Sequence, residues 1–154
     1  IQLDFNQPAR FKLEYIDEKG QRVQPVMIHR AIAGAIERFL GVIIEHYGGA
    51  FPTWLSPVQV HIVPVSSGFI KDAQKLADEL KSQSIRVEVD EADETVGNKI
   101  RKATQQKPPY ILVIGEKEAK GDKFTVRIRG EKDMKEMPKK KFIEGLIKEI
   151  ADRK

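Results

Sequence analysis

Val58-Gln59-Val60-His61-Ile62-Val63-Pro64-Val65-Ser66-Ser67-Gly68 is the stretch whose reading decides the fold. Its first part is dense in β-branched side chains and predicts a strand over 58–65. Ser66-Ser67-Gly68 then supplies a helix N-cap. Ile70, Ala73, Leu76, Ala77 and Leu80 recur at helical spacing and predict a helix ending near Ser82. A second strand follows over 85–89. The acidic loop Asp90–Glu94 leads into a short helix over 95–105, which Lys107-Pro108-Pro109 stops. Tyr110–Ile114 reads as a third strand. Phe124–Arg129 reads as a fourth, its hairpin partner across the turn Lys120-Gly121-Asp122. A last helix over 138–152 would bury Phe142, Ile143, Leu146, Ile147 and Ile150, with Pro138 suited to its first turn. The order β-α-β-α-β-β-α predicts an α/β domain. Its sheet is largely parallel, covered on both faces, and made mixed by the final hairpin.

Upstream the pattern is different. Residues 1–5 and 11–15 alternate apolar and polar, and 26–28 is a short apolar run after Pro25, so antiparallel strands are expected there. Such strands bury little by themselves. A helix over 33–47 follows, with Ile36, Phe39, Leu40, Ile43, Ile44 and Tyr47 on one face, ended by Gly48-Gly49. Phe51-Pro52-Thr53-Trp54-Leu55-Ser56-Pro57 joins the two parts, stiffened by its prolines. The expected division is therefore 1–50, a linker over 51–57, and a domain over 58–154.

Composition sets limits. With 40% hydrophobic residues in 154, the chain can build an ordinary core. No apolar run approaches the ~18 residues a membrane span needs, so no membrane partner is expected. The absence of cysteine excludes disulfides and thiolate metal sites from this chain. A cytoplasmic protein is expected, and the start at Ile1 suggests a piece of a longer one. The net charge of +4 is uneven: residues 1–56 carry six basic and six acidic side chains, so the excess lies beyond them. A basic second half suits a polyanionic partner, and equally a solvated lysine-rich surface.

No phosphate-binding glycine motif follows the first strand of the α/β domain. The histidines, His29, His46 and His61, stand near no nucleophile motif. His61 falls in an alternating strand and reads as structural. Three polar groups are more informative: Asp93, Glu94, Lys99 and Arg101 around one helix start; Glu116, Lys117 and Glu118 after the third strand; Arg127 and Arg129 on one face of the fourth. Helix-dipole pairing accounts for the first group as well as base and phosphate contacts would. All three are expected near one end of the sheet, as a nucleic-acid edge.

These residues support a resemblance. Pro25-Val26-Met27-Ile28-His29-Arg30-Ala31, Gly34-x-x-Glu37-Arg38-Phe39 and Phe51-Pro52-Thr53-Trp54-Leu55-Ser56-Pro57-Val58-Gln59-Val60 resemble the C-terminal part of the threonyl-tRNA synthetases, class II aminoacyl-tRNA synthetases. The resemblance covers the whole chain. It implies that residues 1–50 are a remnant of the class II catalytic domain bearing its motif 3. It implies that 58–154 are an anticodon-binding domain, with a mixed five-stranded sheet and three helices. Arg38 would contact ATP phosphate, His29 would be one of three protein ligands of a zinc ion, and Gln2 would face the adenylate pocket. Asp93, Glu94, Lys99, Arg101, Glu118 and Arg127 would contact the anticodon. Asp93 stands where Asn is common in the family, and a carboxylate accepts but cannot donate.

The implied parent uses ATP with magnesium, and zinc, to join threonine to threonine tRNA through threonyl-adenylate, as a homodimer. This chain, lacking the family's other zinc ligands and motifs 1 and 2, is expected to bind no cofactor and to be inactive alone. The alternative is a non-catalytic tRNA-binding accessory module derived from such an enzyme, in which Arg38 and His29 would be superfluous.

Overall fold

The computed structural model describes residues 1–153. The chain divides into two compact units, Ile1–Ile43 and a second beginning at Ile44.

In the first unit, β1 (Gln2–Asp4) leads into α1 (Asn6–Arg10), β2 (Tyr15–Ile16), β3 (Arg22–Val23) and β4 (Met27–His29). β1 pairs antiparallel with β4, and β2 with β3. Asn6–Arg10, between the two alternating stretches, is helical. Asp4 Oδ1 accepts from the amides of Asn6 and Gln7 at 2.8 and 2.9 Å, which caps the turn. The strand expected from residue 11 shrinks to Tyr15–Ile16, because Phe11 ends α1 and Lys12 takes φ of 54°. Among the described residues of this unit, Pro8 alone is buried. Leu3, Phe5 and Ile28 stay 56%, 62% and 65% exposed. The helix α2 (Ile36–Tyr47) runs from this unit into the next and buries none of its side chains.

The second unit contains β5 (Val60–Pro64), a 3-10 turn at Ser67–Phe69, α3 (Ile70–Ser82), β6 (Val87–Val89), α4 (Val96–Gln105) and β7 (Tyr110–Ile114). It continues through α5 (Glu116–Lys120), β8 (Lys123–Ile128), β9 (Met134–Pro138) and α6 (Lys139–Ala151). The strands form a mixed five-stranded sheet in the order β6-β5-β7-β8-β9. β5 is parallel to β6 and β7; β8 is antiparallel to β7 and β9. This is the α/β fold expected: β9 supplies the fifth strand that the resemblance implied and that the residue pattern alone did not show, and the short α5 is an addition.

The strand alternation assigns the faces. Val60, Ile62, Leu112, Ile114, Phe124 and Val126 point to one face and pack with Ala73, Ala77 and Leu80 of α3 and Phe142 and Leu146 of α6. The Phe124 and Phe142 rings meet edge to face, with centroids 5.8 Å apart. Val63 and Ile111 point to the other face, where Val96, Ile100 and Ala103 of α4 cover them. The cross-strand registers carry this second face outward as two rows. One runs Glu88, His61, Ile111, Arg127, Met134; the other runs Val63, Val113, Thr125, Glu136.

Residues 51–57 are fastened to this unit. Gln59, fully buried, donates to Thr53 O at 2.9 Å. Arg86 donates to Ser56 O at 2.8 Å and to Trp54 O at 2.7 Å. The Thr53 hydroxyl donates to Glu149, which also accepts from the Tyr110 hydroxyl at 2.5 Å.

Candidate nucleic-acid interface

On the second face α4 covers β5 and β7, while β8 and β9 carry Thr125 and Arg127 half-buried and Met134 and Glu136 exposed. β9 is an edge strand, and its alternating charges suit a surface that must not pair with another chain. The result is an open strip of sheet, bordered by α4 on one side and by α5 at the end where β8 begins.

α5 exists because of a local fit. Its N-cap is Gly115, whose amide donates to Glu118 Oε2 at 3.0 Å. Gly121 closes it, its backbone N–H donating a hydrogen bond to Lys117 O at 2.7 Å. A Cβ on Gly121 would lie 2.5 Å from that same oxygen, so only glycine allows the approach. Glu118 thereby arrives beside β8, where Thr125 Oγ1 donates to its Oε1 at 2.6 Å. Burial pushes the Glu118 carboxyl up, but the hydrogen bonds from Thr125 and the backbone amides outweigh it and hold the group below the usual carboxylate range. It is an ionised acceptor with both oxygens oriented. A cleft of about 370 Å³ opens against it, lined also by Lys117, Lys123, Thr125 and Glu136.

Arg127 stands on the same strand face as Thr125, two residues further along β8. It lines a smaller hollow with Thr104, Lys107 and Ile111. Glu118 and Arg127 therefore share the open strip but not one end of it: Glu118 lies where β8 begins, and Arg127 lies toward the other end, beside Thr104 and Lys107.

The residues at α4 form a chain of contacts. Glu94 accepts from Lys102 and from Asn98 Nδ2, the latter at 2.5 Å, and Arg101 donates to Asn98 Oδ1 at 2.9 Å. Lys102 foremost holds the Glu94 carboxyl below its usual range. Asn98 was not singled out from the sequence. Its signal was its spacing, four residues after Glu94 and three before Arg101 on one helix face. Asp93 is exposed in the loop before α4. Lys99 differs from its expected companions: it is 2% exposed, and its ammonium donates to Asp90 O at 3.3 Å, bracing that loop from beneath.

Arg129 does not belong to the polar edge. Its guanidinium donates to Lys107 O at 2.8 Å and to Phe51 O at 2.7 Å. Lys107 precedes β7, whereas Glu118 follows it, so the two lie toward opposite ends of the sheet. Arg129 is a clamp on residues 51–57.

In the first unit, Gln2 and His29 are direct partners in the β1–β4 register, so their side chains share a face. His29 Nε2 contacts Asp4 Oδ2 at 3.0 Å. The Gln7 amide, then His29, hold the Asp4 carboxyl below its usual range. Arg38 is exposed in the first turn of α2. Zinc takes four ligands in tetrahedral sites. Among the described residues no group of three or more His, Cys, Asp or Glu is placed to hold a metal. The donors of this chain alone do not fit zinc.

The anticodon binding domain model matches residues 59–149, and the tRNA synthetase class II core domain (G, H, P, S and T) matches residues 1–47. The threonine–tRNA ligase of Carboxydothermus hydrogenoformans is 48% identical over 154 residues, covering 100% of this chain and 24% of that protein. The threonine–tRNA ligase catalytic subunit of Sulfurisphaera tokodaii is 48% identical over 99% of this chain and 28% of its own length. The chain thus spans about a quarter of the length of these relatives. The solved RNA binding domain of threonyl-tRNA synthetase from Cryptosporidium parvum Iowa II superposes with a TM-score of 0.75 at 38% identity, covering 98% of this chain and 38% of that one. Prolyl-tRNA synthetase of Cryptosporidium parvum shares the fold, with a TM-score of 0.63 at 20% identity over 95% of this chain and 32% of that one. The chain belongs to the anticodon-binding domain family, in the form which that family takes in the threonyl-tRNA synthetases.

Proposed function

We propose that the second unit reads the anticodon loop of a threonine tRNA on the open strip of β8 and β9. The observation that carries this reading is Glu118, an ionised carboxylate held in one orientation on the strip that also bears Arg127. Unstacked bases in a loop expose their edges. A fixed carboxylate accepts from base N–H groups and turns away base carbonyls, while a guanidinium does the reverse. Arg101, Lys117 and Lys123 around the strip supply charge for the phosphates between those bases. Asp93 and Glu94 border it at the start of α4, and Lys99 supports their loop.

In the longer protein this recognition would serve the joining of threonine to that tRNA through threonyl-adenylate, in the cytoplasm and within a homodimer. Arg38 would hold an ATP phosphate, since a guanidinium keeps its charge and pairs with two phosphate oxygens at once. ATP would bring its magnesium. Gln2 would face the adenylate pocket, and His29, its partner across β1 and β4, would supply one of three protein ligands of a zinc ion only with the longer protein's other donors. The 154-residue chain by itself should catalyse no threonine-dependent ATP–pyrophosphate exchange.

The test is binding of the chain to a stem-loop RNA with a threonine anticodon, measured over a range of salt. Binding should weaken steeply with salt and weaken again when the anticodon bases are replaced. Equal affinity for all loops would overturn base-specific reading.

A further inference from the structure

We infer that Thr125 is a positioning residue for base recognition: its hydroxyl, together with the Gly115 amide, sets the orientation in which Glu118 meets a base. This rests on the anticodon reading above and adds a residue to it.

A carboxylate at a helix start on a sheet edge has several rotamers open to it. Glu118 is held by two donors from different elements. The Gly115 amide, at 3.0 Å, reaches Oε2 from the end of β7. Thr125 Oγ1, at 2.6 Å, reaches Oε1 from the middle of β8. One hydrogen bond would leave the group free to turn about it; a second from another direction removes that freedom. Two ionised oxygens offer about four acceptor sites, and two are taken, so acceptor capacity remains for a ligand.

Thr125 is itself well placed to act as the brace. It is half-buried, opposite Val113 on β7 and Glu136 on β9, in a strand that suits a β-branched residue. Its hydroxyl can donate to only one acceptor, and that donor is spent on Glu118. The oxygen is thus a second-hand reader: it acts on the base through the carboxylate.

The experiment compares the full chain with Thr125→Val, Thr125→Ser and Glu118→Gln. Each is titrated with a stem-loop RNA carrying a threonine anticodon and with loops in which each anticodon base is replaced in turn. Thermal melting of each variant checks the fold. Valine keeps the shape and β-branching of threonine but lacks the donor. Thr125→Val should lose roughly 3- to 10-fold in discrimination between the loops, the range expected for releasing one immobilised side chain. Thr125→Ser restores the donor and should recover it. Glu118→Gln should lose at least as much as Thr125→Val. If Thr125→Val discriminates as well as the wild type while Glu118→Gln does not, the positioning role is refuted and anticodon reading stands. If Thr125→Val loses discrimination and Thr125→Ser does not regain it, the hydroxyl is not the brace and the role is likewise refuted. If the wild-type chain itself does not discriminate, the anticodon reading fails and takes the role of Thr125 with it.

Discussion

The two units treat their apolar residues in opposite ways. The second closes a core: Val60, Ile62, Leu112, Val126 and Leu80 have no exposure at all. The first has strands and an amphipathic helix of ordinary composition, yet Ile36 is 70% exposed and Ile28 65%. The difference is one of partners. β1 and β4 form a two-stranded ribbon, and isolated ribbons of that kind are marginal in water. The five strands of the second unit are covered on one face by α3 and α6 and partly on the other by α4. Where that cover stops, over β8 and β9, the surface is polar and carries the candidate site. An exposed face in the first unit is apolar and calls for packing; the exposed face in the second calls for a polar ligand.

Stability measurements would break this comparison most readily. Phe124→Ala or Leu112→Ala should cost about 2–5 kcal/mol in urea denaturation of the chain. Phe39→Ser, at a position 47% exposed, should stay within about 0.5 kcal/mol. Equal losses would mean that the two units share one core. RNA binding gives the next largest contrast. Arg127→Ala should weaken binding of the stem-loop by about 1–3 kcal/mol. Arg38→Ala, in the first unit, should leave it unchanged; a comparable loss there would assign the RNA to the wrong unit.

A smaller effect should come from the clamp. Lysine cannot span two carbonyls as Arg129 does. Arg129→Lys should lower stability by about 1 kcal/mol for the lost hydrogen bond, read from the urea midpoint. No change would mean that residues 51–57 contribute nothing to the fold.

The smallest contrast is in pH dependence. His61 is 4% exposed, and neither ring nitrogen has a hydrogen-bond partner among the described residues. Burial lowers its pKa, against the raising influence of Glu88 and Asp90. The unfolded chain therefore takes up a proton at higher pH than the folded one. This contribution to stability is fully present above the unfolded value of about 6.5 and is lost as pH falls below it. His61→Val should flatten that part of the stability profile. An unchanged slope would place the titrating group elsewhere.

The legibility of the chain followed burial. Strand β7 was readable to the residue and helix α3 by its apolar face and its end at Ser82, whereas the start of α3 was not, since a 3-10 turn over Ser67–Phe69 precedes it and no side chain caps it. β9 was not, because Met137 is its one half-buried member, and the rest of Met134–Pro138 reads as a charged loop. α5 is five residues long with no apolar period, and the Glu118–Gly115 bond that holds it is invisible in composition. The alternation at Phe11, Leu13 and Tyr15 misled because none of these residues is buried, so nothing enforces a strand there. At the candidate site, Glu118 and Arg127 stood out as charges beside a β-rich stretch. Thr125 did not, since threonine in a strand is unremarkable until its hydroxyl is seen against Glu118. Arg129 was misplaced because alternation gives a face and not the end of the strand toward which a long side chain reaches.

In the proposed reading, RNA meets the open strip of the second unit. The most direct test is to titrate the isotope-labelled chain with the threonine-anticodon stem-loop and follow amide resonances. Shifts should concentrate in Glu116–Lys120, Lys123–Ile128 and the first turns of α4, weaken when the anticodon is replaced, and leave Gln2–Asp4 and Met27–His29 unmoved. Shifts centred on those first-unit strands, or on α3 and α6, would contradict it.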